Sequence, residues 1–275
     1  MNQRLKGIMI RRLRLERNWS QATMCADICA VSYLSRIEQG QVGGSPEVLA
    51  MLMERLGVTW REDPAFCRES AAWFDDCYDR LFAGESIEDM IPVLKQRREE
   101  FRYSPFFPDW LLFTWQITNQ RPEEAEELLP ALDDRQRSLY LCLSGEFEEL
   151  LRVSDRGYFL QEAGKHALWS GNFNTAVKYL QLGMERAFRE GSLPVIMSCC
   201  AHMGNCYSCL NQLEQAKEYY SMANRMARGL GRFPDMMTIS DHLLQSGHYG
   251  ASAGADGGCP AASAGAPLER GNVLS

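Results

Sequence analysis

The chain has 275 residues, of which 45% are hydrophobic and 24% charged, the composition of a soluble globular protein of one to two domains. No apolar run approaches the roughly 18 residues that a membrane span needs, and the Arg-rich start, Met1-Asn2-Gln3-Arg4-Leu5-Lys6, is not a secretory signal; a cytoplasmic protein with no membrane partner is expected. The net charge of -7 is uneven: residues 1–60 hold eight Lys/Arg against five Asp/Glu, whereas residues 61–245 are strongly acidic. A mildly basic head on an acidic body suits a small nucleic-acid reader joined to a domain of another kind. The ten cysteines read as small buried hydrophobes of a reducing compartment, not as a disulfide framework.

In chain order, Leu5 to Arg17 predicts a short amphipathic helix with Ile8, Met9, Leu13 and Leu15 on its apolar side. Asn18 and Trp19 break it. Ser20 then caps a second helix, opened by Gln21 and buried through Met24, Cys25 and Ile28, with Cys29-Ala30 as the turn. Val31, Leu34 and Ile37 recur every third residue and predict the core side of a third helix. Ser32, Tyr33, Ser35, Arg36 and Gln39 are left facing outward, and Gly40 ends the helix. Ser45 and Pro46 start a fourth helix as cap and first residue. A tight turn between short helices matches a helix-turn-helix unit. A small, polar, cationic outer face on the third helix can enter a major groove, where Arg pairs with guanine. Any surface helix has such a face, so periodicity alone leaves a plain helical bundle equally open.

The run Ser20-Gln21 followed by Ser32-Tyr33-Leu34-Ser35-Arg36-Ile37-Glu38-Gln39-Gly40 resembles the XRE/Cro-type helix-turn-helix pattern. With Ser45-Pro46-Glu47-Val48-Leu49 through Leu56-Gly57 behind it, the chain is similar to the Rgg/PlcR-like (RRNPP) regulators, which join this motif to helical repeats and respond to peptides. Ala30 departs from the subset, which often has Ser there. The resemblance implies that Arg14 of the first helix pairs with Glu38 at the end of the third, a pairing that suits the planar Arg fork. It also implies DNA contacts from Gln21, Ser32, Tyr33, Ser35, Arg36 and Gln39.

From Asp63 to about Gln245 the pattern is helical throughout, punctuated at Gly84, Gly145, Gly171, Gly191 and Asn211. Residues 170–180 align with residues 210–220, and Gly164 falls on Gly204 at the same offset of 40. Residues 119–125 and 145–150 look like weaker copies, and Gly84-Glu85 like another. Small residues at helix crossings and an aromatic residue four after an Ala resemble the tetratricopeptide repeat, although its period is about 34; any antiparallel helix hairpin also places Ala and Gly at crossings. The expectation is an all-α chain: a helix-turn-helix bundle over 1–60, a tetratricopeptide-like solenoid over 61–245 and a disordered tail over 246–275. The Gly/Ala/Ser/Pro-rich tail buries too little to fold and reads as a repeat array cut short, as by a frameshift.

Stacked repeats offer a concave groove. Its candidate lining is Tyr158, Gln161, Lys165 and Leu168 from one first helix, and Ser198, Ala201, Asn205 and Ser208 from the next, with Trp110 and Thr114 as further guesses. An Asn amide can bond both backbone groups of an extended peptide, a Lys can meet its carboxylate, and the resemblance implies that role for Asn205. Cys199, His202, Cys206 and Cys209 share one helical stripe, but such ligands spread over about 15 Å of helix cannot converge on one zinc ion. A thioredoxin-like reading of the Cys-x-x-Cys lacks its βαβ setting. No P-loop, nucleophile elbow or paired acid and base is present, so neither an enzyme nor a cofactor or metal site is expected. The reading is a DNA-binding transcriptional regulator, a homodimer on double-stranded DNA, gated by a short peptide in the groove. Its alternatives are a tetratricopeptide protein-interaction adaptor and a regulator gated by a protein or small molecule.

Overall fold

A computed structural model describes residues 3–232, 238–239 and 241–242; the tail expected at 246–275 lies outside them. Every regular element among the described residues is helical and none is a strand, so the chain is all-α. The described residues divide into two compact units, residues 3–77 with 88–143, and residues 78–87 with those from 144 to 242.

In the first unit, four short helices make the head: α1 Gln3–Glu16, α2 Gln21–Cys25, α3 Val31–Glu38 and α4 Pro46–Arg55. Their starts follow from local chemistry. Ser20 Oγ accepts the Thr23 N–H at 3.0 Å and Ser45 Oγ accepts the Val48 N–H at 3.3 Å, which satisfies donors that the first turn leaves without helical partners. Past α3 the chain reverses through Gly40 at φ +67°, and the Gln41 N–H returns to the Arg36 carbonyl at 2.9 Å. Leu5, Met9, Ile10 and Leu13 of α1 pack with Met24, Leu34, Ile37, Leu49 and Leu52 in a core from which water is excluded. A side chain at Gly7 would meet the Ile37 carbonyl, so α1 and α3 cross there in close contact.

Two details differ from the sequence pattern. First, α2 stops at Cys25, well before Ile28, because Ala26 turns extended and Asp27 adopts φ +57°. The early stop is supported from a distance: Arg55 Nη1 donates to the carbonyls of both Met24 and Ala26. Second, Val31 is 45% exposed. It is the first residue of α3, and the buried side is formed by Leu34, Ile37 and Glu38.

The same unit contains α5 Pro64–Phe82 up to residue 77, α6 Ile91–Gln96, α7 Arg98–Arg102, α8 Phe107–Thr118, α9 Ala125–Leu128 and α10 Asp134–Ser144 up to residue 143. Phe66, Trp73, Phe74, Phe101, Phe106 and Phe113 interlock there in tilted, stacked and edge-on pairs. Helix α1 packs on these elements as well as on the head. Arg12 Nη2 reaches Glu124 at 3.0 Å, and its guanidinium lies 5.3 Å from the centre of the Phe107 ring. The boundary expected at residue 60 therefore falls inside this unit.

The second unit is built from α11 Phe147–Val153, α12 Gly157–Trp169, α13 Phe173–Glu190, α14 Leu193–Cys209 and α15 Leu213–Gly229. The hairpins α12/α13 and α14/α15 repeat each other at the offset of 40. Gly164 faces Leu180 and Gly204 faces Tyr220; an added Cβ would come within 2.6 and 2.5 Å of those side chains. Ala176 and Ala216 are fully buried at matching positions. The turns match too, through Gly171 at φ +76° and Asn211 at φ +59°. Between hairpins, the Glu190 carboxylate accepts the Gly157 N–H at 3.2 Å, and Ser192 both caps α14 and donates to the Ala83 carbonyl at 2.7 Å. The weaker copies have stunted second helices, four residues in α9 and seven in α11 against 18 and 17 in α13 and α15.

Candidate DNA-reading face and repeat groove

The head is held together by one buried ion network. Arg14 Nε and Nη2 donate to the two carboxylate oxygens of Glu38 at 2.7 and 2.9 Å, while Nη1 donates to the Trp19 carbonyl at 2.7 Å. Gln21 Nε2 donates to Glu38 at 2.8 Å. The two charged side chains are only 9% and 2% exposed. Hydrogen bonding to Glu38 raises the Arg14 pKa against the opposing effect of burial. A charge pair this dry survives because the fork geometry fills both carboxylate oxygens. The network joins α1, the turn after it, the start of α2 and the end of α3, and thereby fixes the pose of α3.

On the outer side of α3, Ser32, Arg36 and Gln39 are exposed, and Tyr33 and Ser35 are half-buried. Arg36 makes no side-chain hydrogen bond or ion pair among the described residues. Gln39 Nε2 donates to Ser35 Oγ at 3.2 Å and Gln41 Nε2 to Gln39 Oε1 at 2.7 Å, so this strip of amides and hydroxyls is partly pre-arranged. Tyr33 also has a structural role. Its hydroxyl accepts the Ser45 N–H at 3.1 Å and ties α3 to the start of α4. Gln21 likewise sits half-buried on Glu38 and serves the network directly.

In the second unit, α12 and α14 bring together a polar strip. Lys165 Nζ donates to Glu162 at 2.8 and 3.1 Å and lies 5.5 Å from the centre of the Trp169 ring. Gln161 donates to Glu162 at 3.2 Å. On α14, His202 Nδ1 donates to the Ser198 carbonyl at 2.7 Å. Burial, reinforced by the charge of Lys165, lowers the His202 pKa to about 4, so the ring is neutral near pH 7. Tyr220 donates its hydroxyl proton to Asn205 Oδ1 at 2.6 Å, which fixes that amide. Of the candidate groove residues, Lys165, Ser198, Asn205 and Ser208 are half-buried, whereas Tyr158 and Gln161 are buried, Tyr158 against the rings of Phe82 and Phe159. Trp169, which the sequence did not single out, is 61% exposed. Trp110 and Thr114 belong to the first unit, where Trp110 donates to the Leu94 carbonyl at 3.0 Å.

Burial pushes the thiols of Cys199 and Cys206 up, Cys206 to about 12, so both remain protonated. Among the described residues no group of three or more His, Cys, Asp or Glu is placed to hold a metal ion. No helix among them is long and apolar enough to cross a membrane.

Residues 7–64 match the family described as a helix-turn-helix domain. This covers most of α1, all of α2 to α4 and the first residue of α5. Two solved structures resemble the chain at low identity. One is PlcR of Bacillus thuringiensis in complex with a peptide and DNA, at 15% identity and a TM-score of 0.47, covering 87% of this chain and 98% of that one. The other is ComR of S. thermophilus in complex with DNA and its signalling peptide, at 16% identity and a TM-score of 0.44, covering 88% and 99%. No curated protein matches the sequence.

Proposed function

We propose that the chain is a transcriptional regulator that reads a specific operator in double-stranded DNA through the outer side of α3. The observation that carries this reading is the closed Arg14–Glu38–Gln21 network. It neutralises the charges inside the helix-turn-helix domain and leaves Arg36, with Ser32 and Gln39, exposed on a helix whose pose is fixed. An arginine so placed can bond guanine O6 and N7 together. The head has one such arginine on α3 and a net charge of only a few units, which favours a homodimer with two heads on half-sites about one DNA turn apart. The site of action is the cytoplasm.

The effector in this proposal is a short peptide lying along the α12–α14 strip, with Asn205, Lys165, Ser198 and Ser208 as its polar partners and Tyr158 and Gln161 as their buried support. An effector moves the two heads only through a difference in affinity for their two arrangements. The test is fluorescence anisotropy on duplexes from the chain's own promoter region. Arg36→Ala should lose operator affinity by about 1–3 kcal/mol; unchanged binding would remove α3 as the reader. Asn205→Ala should keep basal DNA binding and blunt the response to added peptide, and a titration identical to that of the parent would remove the groove.

A further inference from the structure

We propose that Arg11 seats a phosphate of the DNA backbone in the cleft beside the Arg14–Glu38 network, a contact independent of base reading; this rests on the DNA-reading function proposed above. The cleft, of about 190 Å³, is lined by Arg11, Arg14, Gln21, Glu38 and Gln39 from α1, α2 and the end of α3. Four of these five side chains already have partners. Arg14, Glu38 and Gln21 satisfy one another, and Gln39 is bonded to Ser35 and Gln41. Arg11, one turn before Arg14, is exposed and makes no hydrogen bond or ion pair among the described residues.

The charges decide what the cleft accepts. Arg14 and Glu38 cancel, which leaves the single positive charge of Arg11 beside the amide of Gln39. One phosphodiester brings one negative charge and oxygens that accept from a guanidinium fork. The cleft opens next to Gln39, at the C-terminal end of the same α3 that presents Arg36, so a duplex lying on that helix brings a phosphate strand past Arg11. Phosphate contacts set the register of a protein on DNA and carry no sequence information. Arg11 therefore positions the domain, and Arg36 reads.

The two roles separate by salt dependence. Binding of the full-length protein to a mixed-sequence duplex of about 30 base pairs is followed by fluorescence anisotropy between about 50 and 200 mM salt. Arg11→Ala should flatten the slope of log K against log salt by about 0.9, the value of one lost phosphate contact. Arg11→Lys should keep the slope. Arg228→Ala, which removes the same charge from α15, should leave the slope unchanged and controls for net charge. A parental slope in Arg11→Ala, or a loss seen on an operator duplex but not on the mixed-sequence one, overturns the proposal. If the parent shows no salt-dependent binding to any duplex, the DNA-reading function itself fails and takes the Arg11 contact with it.

Discussion

The head and the paired hairpins handle their polar side chains in opposite ways. In the head, one dry ion pair gathers its partners inward, and Arg11, Ser32 and Arg36 around it are left exposed to solvent. In α12 to α15 the polar residues are held by near neighbours, Lys165 by Glu162 and His202 by the Ser198 carbonyl within their own helices, and Asn205 by Tyr220 of α15. The head is thus a scaffold whose outer α3 side keeps Arg36 exposed. The hairpins hold a strip whose polar partners a ligand must share or displace. The contrast teaches that outward-facing polarity is clear evidence of a contact surface only where the inner polar groups are already satisfied.

Four substitutions sharpen or break that contrast. The largest effect belongs to the head. Glu38→Ala leaves Arg14 buried without its partner, and loss of one member of such a pair costs about 3–5 kcal/mol. A thermal or urea melt of the variant should show that loss, and a parental melt would mean the pair is dispensable. Next are the helix crossings of the hairpins. At Gly204 an added methyl meets the ring of Tyr220, which is itself anchored to Asn205, whereas at Gly164 it meets the more adaptable Leu180. Gly204→Ala should destabilise by about 1–3 kcal/mol through overpacking, and more than Gly164→Ala; the reverse order in urea titrations would mean that the Tyr220 ring yields more readily than Leu180.

The smallest effect concerns pH. The folded pKa of His202, about 4, lies below its unfolded value of about 6.5. Between those values the unfolded chain binds more protons, so this contribution is full above about pH 6.5 and is lost as pH falls toward 4. His242, whose pKa burial also lowers, shares the window. His202→Gln should therefore remove part of the slope, on the order of 1–2 kcal/mol between pH 7 and 5. A variant whose stability falls with pH as steeply as the parent's would place the titration elsewhere.

Much of the architecture was legible because its signals are local. Ser20 and Ser45 announce helix starts, Gly40 announces an end, and the 40-residue echo locates two hairpins down to Gly164 and Gly204. What was not legible depends on partners far away in sequence. The early end of α2 is supported by Arg55, which supplies donors to Met24 and Ala26 from the fourth helix. The exposure of Val31 depends on where α3 crosses its neighbours, which periodicity does not fix. Tyr33 and Gln21 read as outward polar residues, yet each also holds the domain together. Arg11 carried no signal at all. It is one of several arginines in α1, and only the three-dimensional satisfaction of the other cleft residues sets it apart.

The salt bridge from Arg12 to Glu124 bears on how the protein can be dissected. Helix α1 contributes Leu13 to the head's core and rests Arg12 on Phe107, so one helix serves two cores. Proteolysis or truncation just after the family-matched segment would strip that second support and leave an arginine-bearing side of α1 facing water. A fragment that keeps these supports of α1 includes α8 and α9, and limited digestion of the intact protein should release the head with those helices still attached.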